Sequence, residues 1–73
     1  MEKYLNRNGD SGVLGYEIGG NYIRVAFFGN SKIYTYSYSG KAGRVHVDNM
    51  KSLAIAGAGL NSYINRYVKF KYD

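Results

Sequence analysis

A chain of 73 residues makes one domain with room for one thin core, and with no Cys and a single His it excludes disulfide staples and the common cysteine–histidine zinc patterns. Ten Lys and Arg against five Asp and Glu give a net charge of +5, which biases the molecule toward anionic partners at long range. The cations are scattered rather than blocked, so the same charge also fits a surface tuned only for solubility.

Residues 1–10, MEKYLNRNGD, carry little apolar periodicity and are expected to form a polar arm ahead of a single domain over residues 11–73. That opening is too polar for a signal peptide, and no apolar run approaches the ~20 residues of a membrane-spanning helix. A cytoplasmic protein without a membrane contact is therefore expected. A core this small supplies only roughly 3–5 kcal/mol, so a homo-oligomer is one way to support it.

VLGYEI (residues 13–18) predicts a strand with Leu14, Tyr16 and Ile18 on one face. GGN turns the chain, because glycine supplies the positive φ that tight hairpins require. YIRVAFF (residues 22–28) predicts a second strand, with Ile23, Val25 and Phe27 facing one way. KIYTYSY (residues 32–38) predicts a third. The run SGKAGRVHV (residues 39–47) is glycine-containing and basic and reads as a surface loop, after which Asp48 is placed to cap a helix over residues 49–56. GAG at residues 57–59 stops it. In LNSYINRYV (residues 60–68), Leu60, Tyr63, Ile64, Tyr67 and Val68 form the apolar stripe of a second helix. The tail KFKYD either adds a strand or frays. The expected fold class is α+β, a three- to four-stranded antiparallel meander with two short C-terminal helices packed on one face.

Catalytic chemistry finds little footing. The five acids are spread along the chain with no close pair for acid and base roles, and there is no thiol nucleophile. A grouping of Ser62, His46 and Asp48 has no spacing to recommend it. The sequence thus points to a protein that is not an enzyme, with no catalytic residues, metal or cofactor.

Binding chemistry has more support. Nine tyrosines stand against three Phe and no Trp, so much of the aromatic surface carries a hydroxyl. Tyr34, Tyr36 and Tyr38 alternate along one strand and run into Lys41 and Arg44. Whether those rings lie under the helices or form a platform depends on strand register, which remains open at this point. Exposed rings of this kind stack bases at roughly 1–3 kcal/mol each in single-stranded nucleic-acid sites. The junction AGAGLNS places Gly57, Gly59, Asn61 and Ser62 at a helix start, where free N–H groups favour anions, although it fits neither a Walker nor a dinucleotide pattern and reads equally as a corner between helices.

LGYE at 14–17, VAFFGNSKIYTY at 25–36 and AGAGLNSYIN at 56–65 together resemble the KTSC domain, a module of about sixty residues found at the C-terminus of some lysyl-tRNA synthetases and as free-standing bacterial or phage proteins. Tyr34 and Tyr36 match the family's central Tyr-x-Tyr; Ser62, Tyr63 and Asn65 match its later small-residue run. The resemblance covers about residues 11–70; the family's function has been left open, with RNA binding suggested for it. The chain departs from the family pattern in lacking a Val-Pro before the helical half, where the longer, basic SGKAGRVHV stands.

Together these readings predict a binding module for an anionic, base-bearing ligand: single-stranded RNA or DNA, or a small signalling nucleotide, as in phage proteins that sequester one. Tyr36 and Tyr38 are expected to stack bases, Lys41, Arg44 and Arg66 to meet phosphates, and the corner at residues 57–62 to offer N–H donors. The alternative is a protein-interaction or inhibitory module that uses the tyrosine-rich face.

Overall fold

The computed structural model of the protein describes residues 1–9 and 11–73. The alternating segments form the expected meander, with β2 (Val13–Ile18), β3 (Tyr22–Phe27) and β4 (Ile33–Ser37) following a two-residue strand β1 (Glu2–Lys3). The sheet order is β1-β2-β3-β4, and each neighbouring pair is antiparallel. Two helical elements follow: α1 (Gly43–Ala56), and α2 (Leu60–Tyr63), which continues as a π-helical stretch over Ile64–Val68. The fold is α+β, with the C-terminal helices packed on one face of the meander.

Register decides which side chains lie under the helices. Ile23 pairs with Tyr36 and Val25 with Tyr34, so these four share a face. Ile23, Val25 and Tyr36 are buried there against Val47, Met50 and Ala54 of α1 and against Leu60, Ile64 and Val68. The opposite face carries the exposed pair Glu17 and Arg24, 3.7 Å apart, and Tyr22, whose hydroxyl donates to Glu17 at 2.8 Å.

Four local expectations change. The arm is part of the fold: Glu2 and Lys3 pair with Tyr16 and Gly15, and Tyr4 is only 3% exposed. Asp10, the last residue of that expected arm, lies outside the described residues. In β2 the pairing slips between Val13 and Gly15, a bulge that turns Val13 inward and leaves Leu14 exposed, so Val13 rather than Leu14 joins the Tyr16 face.

The basic segment is not a loop throughout. Helix α1 begins at Gly43, because Val47, Met50 and Ala54 bury at i, i+3 and i+7, and that burial overrides the β preference of Val45 and Val47. Asp48 therefore lies inside the helix and caps nothing; Ala42 precedes the first turn without any side-chain cap. The tail forms no strand, although the Asp73 N–H donates to the Thr35 carbonyl of β4 at 2.7 Å. No described helix is long and apolar enough to cross a membrane.

Candidate functional site

The β4 tyrosines meet three different fates on one face. Tyr36 is 1% exposed and closes the core, so its ring is not available to stack a base. This corrects its expected role. Burial pushes its hydroxyl up to about 12, with the neighbouring Tyr34 and Tyr72 adding to the shift. Tyr34 is half-buried, edge-on to Phe27 and Tyr72 with centroids at 5.7 and 4.9 Å.

Tyr38, just past the strand end, is half-buried and lies at the head of α1. The Arg44 guanidinium stands 4.7 Å from its ring centroid and the Lys51 ammonium 4.8 Å. Cations at this range are attracted to the electron-rich ring. The Tyr38 hydroxyl donates to the Asp48 carboxylate and accepts from Lys51 Nζ at 3.2 Å, and Lys51 also donates to the Gly20 carbonyl at 3.2 Å. Arg44, Asp48 and Lys51 fall at i, i+4 and i+7, one face of α1. Lys41 is exposed in the turn just before the helix.

The result is an ordered phenol flanked by two cations, with a third nearby and one carboxylate among them. With Arg44 and Lys51 beside the ring, the candidate site presents a cation-bearing platform rather than a bare aromatic plane. Lys51 and Asp48 were missed as site residues because their convergence on Tyr38 depends on residues 43–47 being helical; read as a loop, that segment hides the i, i+4, i+7 relation.

The glycine corner plays another part. Gly57, at φ 75°, ends α1, its N–H donating to the Leu53 and Ala54 carbonyls at 2.9 and 3.2 Å. Its own carbonyl accepts the Arg7 N–H at 2.7 Å, and a Cβ there would stand 2.6 Å from that of Leu5. Gly57 is thus a buried splice beneath the N-terminal segment, not a ligand contact. Gly59, at φ 83°, accepts from Tyr63 N–H, and the Leu60 N–H is taken by the Tyr4 hydroxyl. Asn61 and Ser62 line a cavity of about 180 Å³ shared with Asn6 and Asn8. Gly57 follows Arg44 by thirteen positions, roughly 20 Å along the helix, so the expected phosphate cluster is split.

Arg66 goes elsewhere as well. It lies 5.5 Å from the Tyr67 ring, beside a group that ties the π-helical stretch to α1. His46 stacks on Tyr67 with centroids at 5.6 Å, and its Nδ1 is 2.6 Å from the Tyr63 hydroxyl, which also accepts from Asn49 Nδ2 at 3.0 Å. Residues two apart on a helix do not share a face, so His46 and Arg44 serve different surfaces. Among the described residues no three His, Asp or Glu side chains converge as a metal site requires.

Comparison with family models, with curated proteins and with solved structures gives no match for this chain.

Proposed function

We propose that this domain is a non-enzymatic binding module for an anionic, base-bearing ligand, engaged at the head of α1. The observation that carries the reading is Tyr38, its ring flanked by Arg44 and Lys51 and followed by Lys41. A guanidinium resting on an aromatic ring is pre-oriented, so less freedom is lost when it meets a phosphate or stacks on a base. The uncapped start of α1 adds N–H groups at the positive end of the helix dipole beside the same cations.

Within that class, single-stranded nucleic acid suits the surface better than an enclosed mononucleotide. The described cavities range from about 180 to about 340 Å³, at or below the small end of the ~300–1,000 Å³ usual for ligand pockets. A mononucleotide would need a second subunit to close over it. The resemblance to the KTSC domain adds the expectation of RNA binding. A second reading, a protein-interaction module, draws on the exposed Phe28, Val45, Ile55 and Phe70, each more than half accessible.

The test is purification through a high-salt wash, then the ratio of nucleic-acid to tyrosine absorbance and titration with short single-stranded RNA. Wild-type binding that Arg44→Glu abolishes supports the site. Binding retained in that variant sinks it, and no binding by the wild type transfers the reading to a protein partner.

A further inference from the structure

At the other end of β4 from Tyr38, a cleft of about 220 Å³ opens among Phe27, Tyr34, Tyr36, Asn65, Phe70 and Tyr72. Its walls are rings held edge-on: Tyr34 against Phe27 at 5.7 Å, and Tyr72 against Tyr34 and Tyr36 at 4.9 and 6.5 Å. Such walls accept a flat ligand with little rearrangement, because the rings already brace one another.

The polar groups are few. The Tyr34 hydroxyl accepts from Asn30 Nδ2 at 3.0 Å, which ties its oxygen to the rim and leaves its proton free. The Tyr36 hydroxyl is different. Tyr36 is 1% exposed, its hydroxyl bonds to no described residue, and no described buried side-chain oxygen is both sealed and unpartnered. The small part of Tyr36 that reaches solvent is therefore its hydroxyl, and it does so in the cleft that Tyr36 lines. A core tyrosine thus turns its hydroxyl to the solvent of an aromatic cleft, where a ligand acceptor can replace water as its partner.

Asn65 stands exposed in the lining with both a donor and an acceptor. Lys69 also lines the cleft, and the Lys32 ammonium lies 5.7 Å from the Tyr34 ring. The volume falls below the ~300 Å³ small end of ligand pockets, so one ring system fits and a whole nucleotide does not. Aromatic walls, the Tyr36 hydroxyl within, the Asn65 amide and flanking cations match a heterocycle with in-plane acceptors attached to an anion.

We infer that this cleft receives a single unstacked base of a bound nucleotide strand, with the Tyr36 hydroxyl donating to an in-plane acceptor of the base and the Asn65 amide reading a second edge atom. Lys32 and Lys69 meet the phosphates on either side, and the sugar stays outside. Tyr34 and Tyr38 are four residues apart on one extended segment, about 13 Å, so one strand reaches both the cleft and the head of α1. The inference rests on the proposed nucleotide-binding reading and gives it a base-recognition site.

The experiment is a nuclear magnetic resonance titration of the full chain with uridine and adenosine 5′-monophosphates and with short oligouridylate and oligoadenylate. The Asn65 side-chain amide and the backbone amides of residues 69–72 are expected to shift. Tyr36→Phe, which removes an oxygen bonded to no described residue, weakens binding about 5- to 10-fold, the loss of one hydrogen bond of roughly 1 kcal/mol. Asn65→Ala, a surface change, weakens it too and carries the test if Tyr36→Phe fails to fold. Shifts confined to Lys41, Arg44 and Lys51, with both variants binding as wild type, overturn the cleft while the nucleotide reading stands. Shifts nowhere overturn both.

Discussion

The Tyr4 hydroxyl accepts the backbone N–H of Leu60 at 3.2 Å, a buried bond that joins residues 56 apart in the chain. Leu60 opens α2, and a first-turn N–H has no partner within its own helix. Tyr4→Phe keeps the ring and strands that N–H, at a cost of about 1–3 kcal/mol. Urea unfolding should show a lower midpoint with an unchanged slope. An unchanged midpoint would mean that water replaces the hydroxyl and that the N-terminal segment does not brace the helices.

A second clamp lies next to the first. Arg7 donates its backbone N–H to Gly57 O at 2.7 Å and its Nε to Ala56 O at 2.8 Å, placing a cation on the last carbonyls of α1. Two alanine substitutions separate backbone strain from this contact. Gly43, at φ 80°, has open space where a Cβ would go, so Gly43→Ala meets only the φ penalty, about 1 kcal/mol. Gly57→Ala meets a similar penalty and also strikes the Leu5 Cβ, which displaces the clamp. Thermal unfolding should rank Gly57→Ala clearly below Gly43→Ala; equal midpoints would show that residues 4–7 move aside freely.

The meander was legible because β3 and β4 alternate cleanly and glycines punctuate them; the second helix was legible from Leu60, Ile64 and Val68. Three features were not. Tyr4 sits in a mostly polar stretch with no periodic signal, and its hydroxyl is satisfied by a backbone N–H far along the chain. The bulge after Val13 comes from pairing geometry, which a single strand's pattern does not encode. Residues 43–47 read as a loop because the run is basic and glycine-containing, yet the burial of Val47 with Met50 decides for helix. That last misreading obscured half of the candidate site, since Lys51 reaches Tyr38 only on a helix.

Alkaline pH should weaken the fold through Tyr36. Its hydroxyl is pushed up to about 12 by burial, above the ordinary value of 10 that the unfolded chain shows. A group whose pKa is raised by folding contributes its full stability below the unfolded value. Between pH 10 and about 12 the unfolded state ionises first, and up to about 3 kcal/mol is lost. The Tyr22 hydroxyl at the surface is pushed up as well, by its bond to the Glu17 carboxylate. Stability measured against pH in Tyr36→Phe isolates the core group: the alkaline loss should shrink, and a profile identical to wild type would place the effect elsewhere.

Electrostatics at the head of α1 give the sharpest separation between a nucleic-acid surface and a solubility charge. Each cation that neutralises a phosphate of a single strand contributes about 0.7 to the slope of log affinity against log salt. Arg44→Ala and Lys51→Ala should each flatten that slope by about this amount. Asp48→Asn should move affinity the other way, because it removes the one carboxylate bonded to Tyr38. Arg24→Ala, on the far face of the sheet, should leave the slope unchanged. Four variants with one common slope would mean that the ligand meets none of these residues, and the Tyr38 cluster would then be a structural latch between β4 and α1.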